Sequence, residues 1–244
     1  MAGKLFCIGC GPGDPQLLTL KAADILKSAD IIFCPTARAG RESMALSIVK
    51  PILGKRKKKP EIIDLVFPMV KDKATLNETW KNNADQIAKK CVAGKKVAYL
   101  CVGDPSLYST FTYIHKELKK RYPQVAIEIV PGVASIFAFA CQAKISLAEG
   151  DETLAIVPAC YDLNRVKSTA SSCDTVIFLK DGRYFSSVIE MLKQSGFSED
   201  SLIAIAQDVS AEGEVVKVAK LKDVTNSDPA EKYFSIMVVK RDQT

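Results

Sequence analysis

The chain has 244 residues, 48% of them hydrophobic and 25% charged, which suits one large α/β domain or two smaller ones and excludes the disordered and fibrous classes. No apolar stretch is long enough for a membrane span, since the longest, 130–143, is broken by Pro131, Gly132 and Gln142, and no leader pattern opens the chain, so a soluble cytoplasmic protein is expected. The net charge of +6 is local: five positives form the run Lys55–Lys59, without it the balance is +1, and with no aromatic residue interleaved the run reads as a solvated loop before a nucleic-acid or anion patch.

Taken in order, residues 4–9 predict a strand, about 14–28 a helix, and 30–35 a second strand ended by Pro35. Residues 41–53 read as a helix with Pro51 near its end, 61–68 as a strand, and 75–94 as an amphipathic helix closed by Gly94. A strand at 95–103, a helix at 106–121, a strand at 125–132 and a helix after Pro131-Gly132 follow. Farther on, 153–159 and 174–181 are strands, 184–195 is a helix, and 201–210, 214–224 and 233–241 are strands, the last two alternating in the antiparallel style. The early alternation predicts a mostly parallel sheet and the close of the chain a mixed one. Two α/β domains are expected, 1–122 and 123–244.

The eight cysteines fall largely in apolar runs, where cysteine acts as a small hydrophobe. Cys7 and Cys10 form a lone Cys-x-x-Cys, and His115 is the only histidine, so no zinc set is expected; a thioredoxin-like redox role is the alternative. His115 lies in a helical stretch and reads as a packing residue.

Three strand-to-helix crests stand out: Gly9-Cys10-Gly11-Pro12-Gly13-Asp14-Pro15, Gly103-Asp104-Pro105-Ser106-Leu107, and Pro131-Gly132-Val133-Ala134-Ser135. Open α/β sheets bind ligands beyond the carboxyl ends of their strands, so these crests are the candidate site. The first resembles a dinucleotide fingerprint but fails its last glycine, and no Lys-Ser/Thr pair makes it a Walker loop. Phosphate binding needs free N–H groups at a helix start; Pro12 and Pro15 each remove one, and Asp14, placed to cap the helix, would repel a pyrophosphate. Asp104-Pro105 repeats the objection. A nucleoside ligand without phosphate, carrying positive charge, suits such loops, and S-adenosylmethionine has that chemistry.

Read together, "GCGPGDPQLLTLKAADIL", "YLCVGDPSLYST" and "IVPGVASIFAFA", in this order, resemble the tetrapyrrole methylase family over nearly the whole chain. "VFPMVKD" and "SLAEGDETLAIVPA" are similar to its branch that methylates carbon 20 of precorrin-2 or cobalt-factor II in cobalamin biosynthesis. The resemblance implies two α/β domains with the cofactor cleft between them, a homodimer, S-adenosylmethionine as methyl donor, a tetrapyrrole substrate, no metal ligand set, and neither nucleic-acid nor membrane partner. Carried over by position, the cofactor contacts are Pro12, Val102, Gly103, Asp104, Leu107, Ala134, Ser135, Leu179 or Lys180, and Asp208 or Val209. Val102 stands where some relatives have glycine.

The reaction so implied is in-line transfer of the sulfonium methyl to an electron-rich carbon, with catalysis mostly by positioning. Asp104 and Tyr108 are the candidate catalytic residues for the proton lost, with Asp14 and Tyr161 behind them. Arg38 and Arg41 are candidates for the acetate and propionate arms of the macrocycle, and the lysine run for steering it. Alternatives are a methylase for another corrinoid position or uroporphyrinogen III, a diphthamide or ribosomal-RNA relative, a dinucleotide-dependent oxidoreductase, and an RNA-binding module.

Overall fold

A computed structural model describes residues 3–38, 40–158, 162–179, 185–224 and 235–242. They divide into two units, Met1–Ala134 and Ser135–Thr244. The first holds strands β1 (Lys4–Gly9), β2 (Ile31–Thr36), β3 (Glu61–Val66), β4 (Val97–Cys101) and β5 (Ala126–Val130), with helices α1 (Leu20–Ser28), α2 (Met44–Gly54), α3 (Lys73–Val92) and α4 (Phe111–Arg121). The second holds α5 (Ser135–Ala143), β6 (Leu154–Val157), α6 (Leu163–Ser171), β7 (Thr175–Leu179), α7 (Phe185–Gln194), β8 (Leu202–Gln207), β9 (Val215–Lys220) and β10 (Ser235–Lys240).

The first sheet is wholly parallel, in the order β3-β2-β4-β1-β5. Both its faces are covered, so its strands are nearly continuous apolar runs. Leu5, Cys7, Phe33 and Tyr99 point to α3 and α4, meeting Ile87, Phe111 and Ile114. The alternate residues Ile8, Ile32 and Leu100 meet Ile25, Ala45 and Val49 of α1 and α2. Strand β5 pairs with β1 from Lys4↔Ala126 to Ile8↔Val130, so the first unit extends past the boundary at 122 suggested by the sequence.

Two local boundaries, the start of α1 and the end of β2, differ from expectation. Asp14 accepts from Gln16 N–H at 2.8 Å and caps only a 3-10 turn, Pro15–Leu17; α1 begins later, with the Thr19 hydroxyl accepting from Ala22 N–H at 3.1 Å. Pro35 does not end β2, which pairs with β3 through Thr36↔Val66. It stands instead just past the last β2–β4 pair, Phe33↔Tyr99, where a residue with no N–H to donate is tolerated. By contrast β1 follows β4 as far as Gly9↔Cys101. The lysine run follows α2 at the edge of the sheet opposite the crests, and Arg56 in it donates to the Leu26 carbonyl at 2.9 Å, closing α1.

The second sheet, β6-β7-β10-β8-β9, is mixed as expected: β6–β7 is parallel and the remaining pairs are antiparallel. One of its faces packs Val176, Phe178, Ile203, Ile205, Met237 and Val239 against α6 and α7. Helix α6 was not legible beforehand. Asp162 caps it, accepting from the N–H groups of Asn164 and Arg165, both at 3.1 Å. Arg241, directly after β10, donates to the carbonyls of Cys173, Ala170, Ser195 and Gly196, closing the ends of α6 and α7, with its guanidinium 4.3 Å over the Phe197 ring. Among the described residues no helix is long and apolar enough to cross a membrane.

Candidate functional site

The site is built at the carboxyl edge of the first sheet, where β4, β1 and β5 lie side by side and end in the three crests. The first two crests pair backbone to backbone. Gly103 N–H donates to the Gly11 carbonyl at 2.7 Å, Gly11 N–H to the Gly103 carbonyl at 3.3 Å, and Cys10 N–H to the Cys101 carbonyl at 2.8 Å. Gly11 and Gly103 have φ of +76° and +70°, a conformation that a Cβ disfavours. The third crest lies directly on this pair. A Cβ on Gly132 would be 2.7 Å from the Gly9 carbonyl carbon and in collision with the Gly103 oxygen; one on Gly9 would be 2.5 Å from the Gly132 nitrogen. Gly9 and Gly132 therefore serve the approach of one crest to another.

Asp104 locks this arrangement. Its Oδ1 accepts from the Ser106 N–H at 2.8 Å and from the Ser106 hydroxyl, while its Oδ2 accepts from the Gly132 N–H at 2.9 Å. Partial burial alone would raise its pKa; the bonds from Ser106 and Gly132 outweigh it and hold the carboxyl below the usual carboxylate range. The group is an anion in the crest at neutral pH.

The other expected residues fall as follows. Pro12 is buried in the first crest. Val102, 40% exposed, projects from the second, and Leu107 is half-buried after it, its N–H donating to the Asp104 carbonyl at 3.3 Å. Tyr108 is 46% exposed and held at φ +49°, in the left-handed region that a bulky residue occupies only when its surroundings demand it. Ala134 is buried and Ser135 opens α5. In the second unit, Leu179 ends β7 opposite Ile236, and Gln207 ends β8 opposite Ser235, so Leu179 and the Asp208-Val209 turn share one edge of that sheet. Asp208 and Ser210 are both left-handed, at φ +50° and +59°, and Val209 between them is buried. Lys180 and Tyr161 lie outside the described residues.

The redox alternative fails on geometry. Cys7 and Cys10 are three apart on a backbone with a two-residue repeat, so they join the cores on opposite faces of the sheet. Burial pushes both thiols up, and Cys7 approaches the Cys101 sulfur instead, at 3.5 Å. His115 packs its ring on Phe111 at 5.7 Å, and burial and then Lys119 lower its pKa. No cluster of metal-ligating side chains occurs among the described residues.

An anionic carboxylate beside an apolar Val102 and Leu107, in loops whose prolines remove amide donors, fits a cationic nucleoside better than a pyrophosphate. The comparisons agree with this chemistry. Residues 4–225 match the tetrapyrrole (corrin/porphyrin) methylases, and the chain belongs to that family; it is a methyltransferase. It is 37% identical over 238 residues to the probable cobalt-precorrin-2 C(20)-methyltransferase of Methanocaldococcus jannaschii, covering 98% of this chain and 96% of that one. It is 32% identical to the cobalt-precorrin-2 C(20)-methyltransferase of Salmonella typhimurium, over 99% and 98% of the two chains. Among solved structures, the fold is shared with uroporphyrin-III C-methyl transferase from Thermus thermophilus complexed with S-adenyl homocysteine (TM-score 0.68, 21% identity, 98% and 97% covered).

Proposed function

We propose that this protein transfers the methyl group of S-adenosylmethionine to carbon 20 of cobalt-precorrin-2 or cobalt-factor II in cobalamin biosynthesis. The observation that carries the reading is the glycine-to-glycine junction of three crests locked by an ionised Asp104, in a chain alike over nearly its full length to two enzymes named for that reaction. The cobalt-loaded substrate is preferred because both those relatives carry cobalt in their names, whereas the precorrin-2 C(20)-methyltransferase of a Sinorhizobium species is 27% identical. The enzyme acts as a homodimer in the cytoplasm, where its cysteines, free at all seven described positions, stay thiols.

Pro12, Val102, Gly103, Leu107, Ala134 and Ser135 bind the cofactor at the crests, and Leu179, Lys180, Asp208 and Val209 are the further contacts that the family resemblance assigns. S-adenosylmethionine supplies an electrophilic methyl on a sulfonium. The tetrapyrrole carbon attacks in line, the sulfur–carbon bond breaks with its electrons to sulfur, and the methylated carbon then loses a proton. Positive charge on sulfur falls as the methyl departs, so an anion nearby binds the ground state at least as well as the transition state. Asp104 accordingly holds and orients the cofactor. Its three accepted bonds and lowered pKa make it a poor proton acceptor, and a phenol such as that of Tyr108 is a weaker base than a carboxylate, so the proton goes to solvent water.

The test is anaerobic incubation of the protein and S-adenosylmethionine with cobalt-factor II or, separately, metal-free precorrin-2. Mass spectrometry reports one added methyl group, and isotope-labelled NMR places it. One methyl on carbon 20 of the cobalt pigment is the expected result. A folded, cofactor-binding protein that methylates neither pigment would sink the reading.

A further inference from the structure

Beyond the three crests, the same sheet edge carries a fourth, between β2 and α2. Strands β2 and β4 are paired only from Ile31↔Val97 to Phe33↔Tyr99, so past Pro35 they part, and the edge opens between the fourth crest and Val102. The opening is flanked on its other side by the closed junction of Gly11 and Gly103. Connections leave β2 and β4 toward opposite faces of the sheet, since α2 joins the face with α1 and α4 the face with α3. That is a topological switch, the place where such sheets bind ligands.

The crest is built for an anion. The Thr36 hydroxyl, on a residue 7% exposed, donates to the carbonyls of both Arg38, at 2.9 Å, and Arg41, at 3.1 Å, and so mounts the two arginines on one backbone staple. Both arginines are exposed, and neither makes an ion pair among the described residues. The one acid of the crest, Glu42, is paired with Lys50. Helix α2 then begins with no side-chain bond from its N-cap residue to its first-turn amides. At the cap position stands Ser43, 2% exposed, whose hydroxyl has no hydrogen-bond partner among the described residues. A buried hydroxyl left without a partner is destabilising, and a serine at a helix cap ordinarily bonds the amides beside it. This one is kept without doing so.

We infer that this fourth crest is the carboxylate subsite of the enzyme: Arg38, Arg41, Ser43 and the start of α2 hold an acetate or propionate arm of the macrocycle, in the gap where β2 leaves β4. The inference rests on the tetrapyrrole reading above. It gives Thr36 a positioning role and explains why Ser43 is an uncommitted serine. Arginine suits the task because its planar fork matches a carboxylate with two parallel bonds. The lysine run, at the opposite edge of the sheet, takes no part.

The experiment is steady-state methylation of cobalt-factor II by the full chain, with Arg38→Ala, Arg41→Ala, the double variant, Ser43→Ala and the charge control Lys58→Gln. Calorimetry gives S-adenosylmethionine affinity and melting temperature for each. The expected result is a rise in KM for the pigment of about tenfold per arginine with kcat little changed, the pattern of lost uniform binding. Cofactor affinity stays within about twofold, and Lys58→Gln matches the unsubstituted enzyme. Ser43→Ala raises KM without lowering the melting temperature, whereas a serine that merely capped the helix would lower it. The double variant also loses the dependence of KM on ionic strength. An unchanged KM in the double variant overturns the subsite while the methylase reading stands, and so does a fall confined to kcat. If the unsubstituted enzyme methylates neither pigment, both readings fall together, and that is seen before any variant is made.

Discussion

Two Gly-Asp-Pro turns in this chain begin alike and end differently. In both, the aspartate accepts from the N–H two residues on, at 2.8 Å: Gln16 for Asp14, Ser106 for Asp104. Asp14 goes no further among the described residues. Asp104 uses its second oxygen to hold Gly132, 28 positions away in the chain, and so fastens the second crest to the third. The same local signal yields a turn in one case and a tertiary lock in the other, and what decides is the neighbour: β4 ends where Gly9 and Gly132 lie against the Gly103 oxygen. A short motif fixes local geometry, and its wider role depends on what the sheet brings beside it.

The largest effect should come from filling that junction. Gly132→Ala forces backbone away from backbone and is expected to destabilise by about 3 kcal/mol or more, with S-adenosylmethionine binding lost; chemical denaturation and calorimetry measure the two. Next is Asp104→Ala, which leaves the Gly132 amide and Ser106 without their acceptor and is expected to lose about 2 kcal/mol. It should raise KM for the cofactor at least tenfold, about 1.4 kcal/mol, with a smaller change in kcat. Asp104→Asn, keeping one acceptor oxygen, should fall between. If Asp104→Ala leaves cofactor affinity intact, the lock does not position the cofactor.

The pH dependence sharpens the same contrast. The folded pKa of Asp104 lies below its unfolded value, so its contribution is present above about pH 4 and is lost as the pH falls through the folded value. The stability gap between the unsubstituted protein and Asp104→Asn should therefore narrow on acidification below about pH 4, as followed by urea melts. The smallest effect is that of Asp14→Ala. Removing a cap on a three-residue turn should cost about 1 kcal/mol at most and leave cofactor binding unchanged.

Much of this was legible in the sequence, because strands buried on both faces announce themselves as apolar runs and helix ends as caps and glycines. The three crests were found from their glycines and prolines. What joins them was not, because the contact of Gly9 with Gly132 and the bond from Gly132 to Asp104 depend on the strand order, which no local pattern encodes. The first boundary was set short for the same reason: β5 reads identically whether it pairs with β1 or with a later strand. Helix α6 escaped because its sequence is mostly polar, with only Val166 and Ala170 buried. Asp162, four residues before Val166 and eight before Ala170, is the signal the sequence offers. Pro35 reads as a stop to β2 but marks a parting of neighbours, and Thr36 beside it carries no signal of its own.

Strand order also bears on how the molecule is made. The first sheet is centred on β4, between β2 and β1, and all five of its strands have been synthesised once residue 130 is added. The second is assembled around its latest, β10, which sits between β7 and β8. Until residues 235–240 leave the ribosome, that sheet exists only as two unconnected pairs, β6 with β7 and β8 with β9, and the helix ends that Arg241 closes stay open. A nascent chain halted before β10 therefore carries every strand of one sheet and an unjoined remainder with exposed strand edges, the part that chaperones and proteases would engage first.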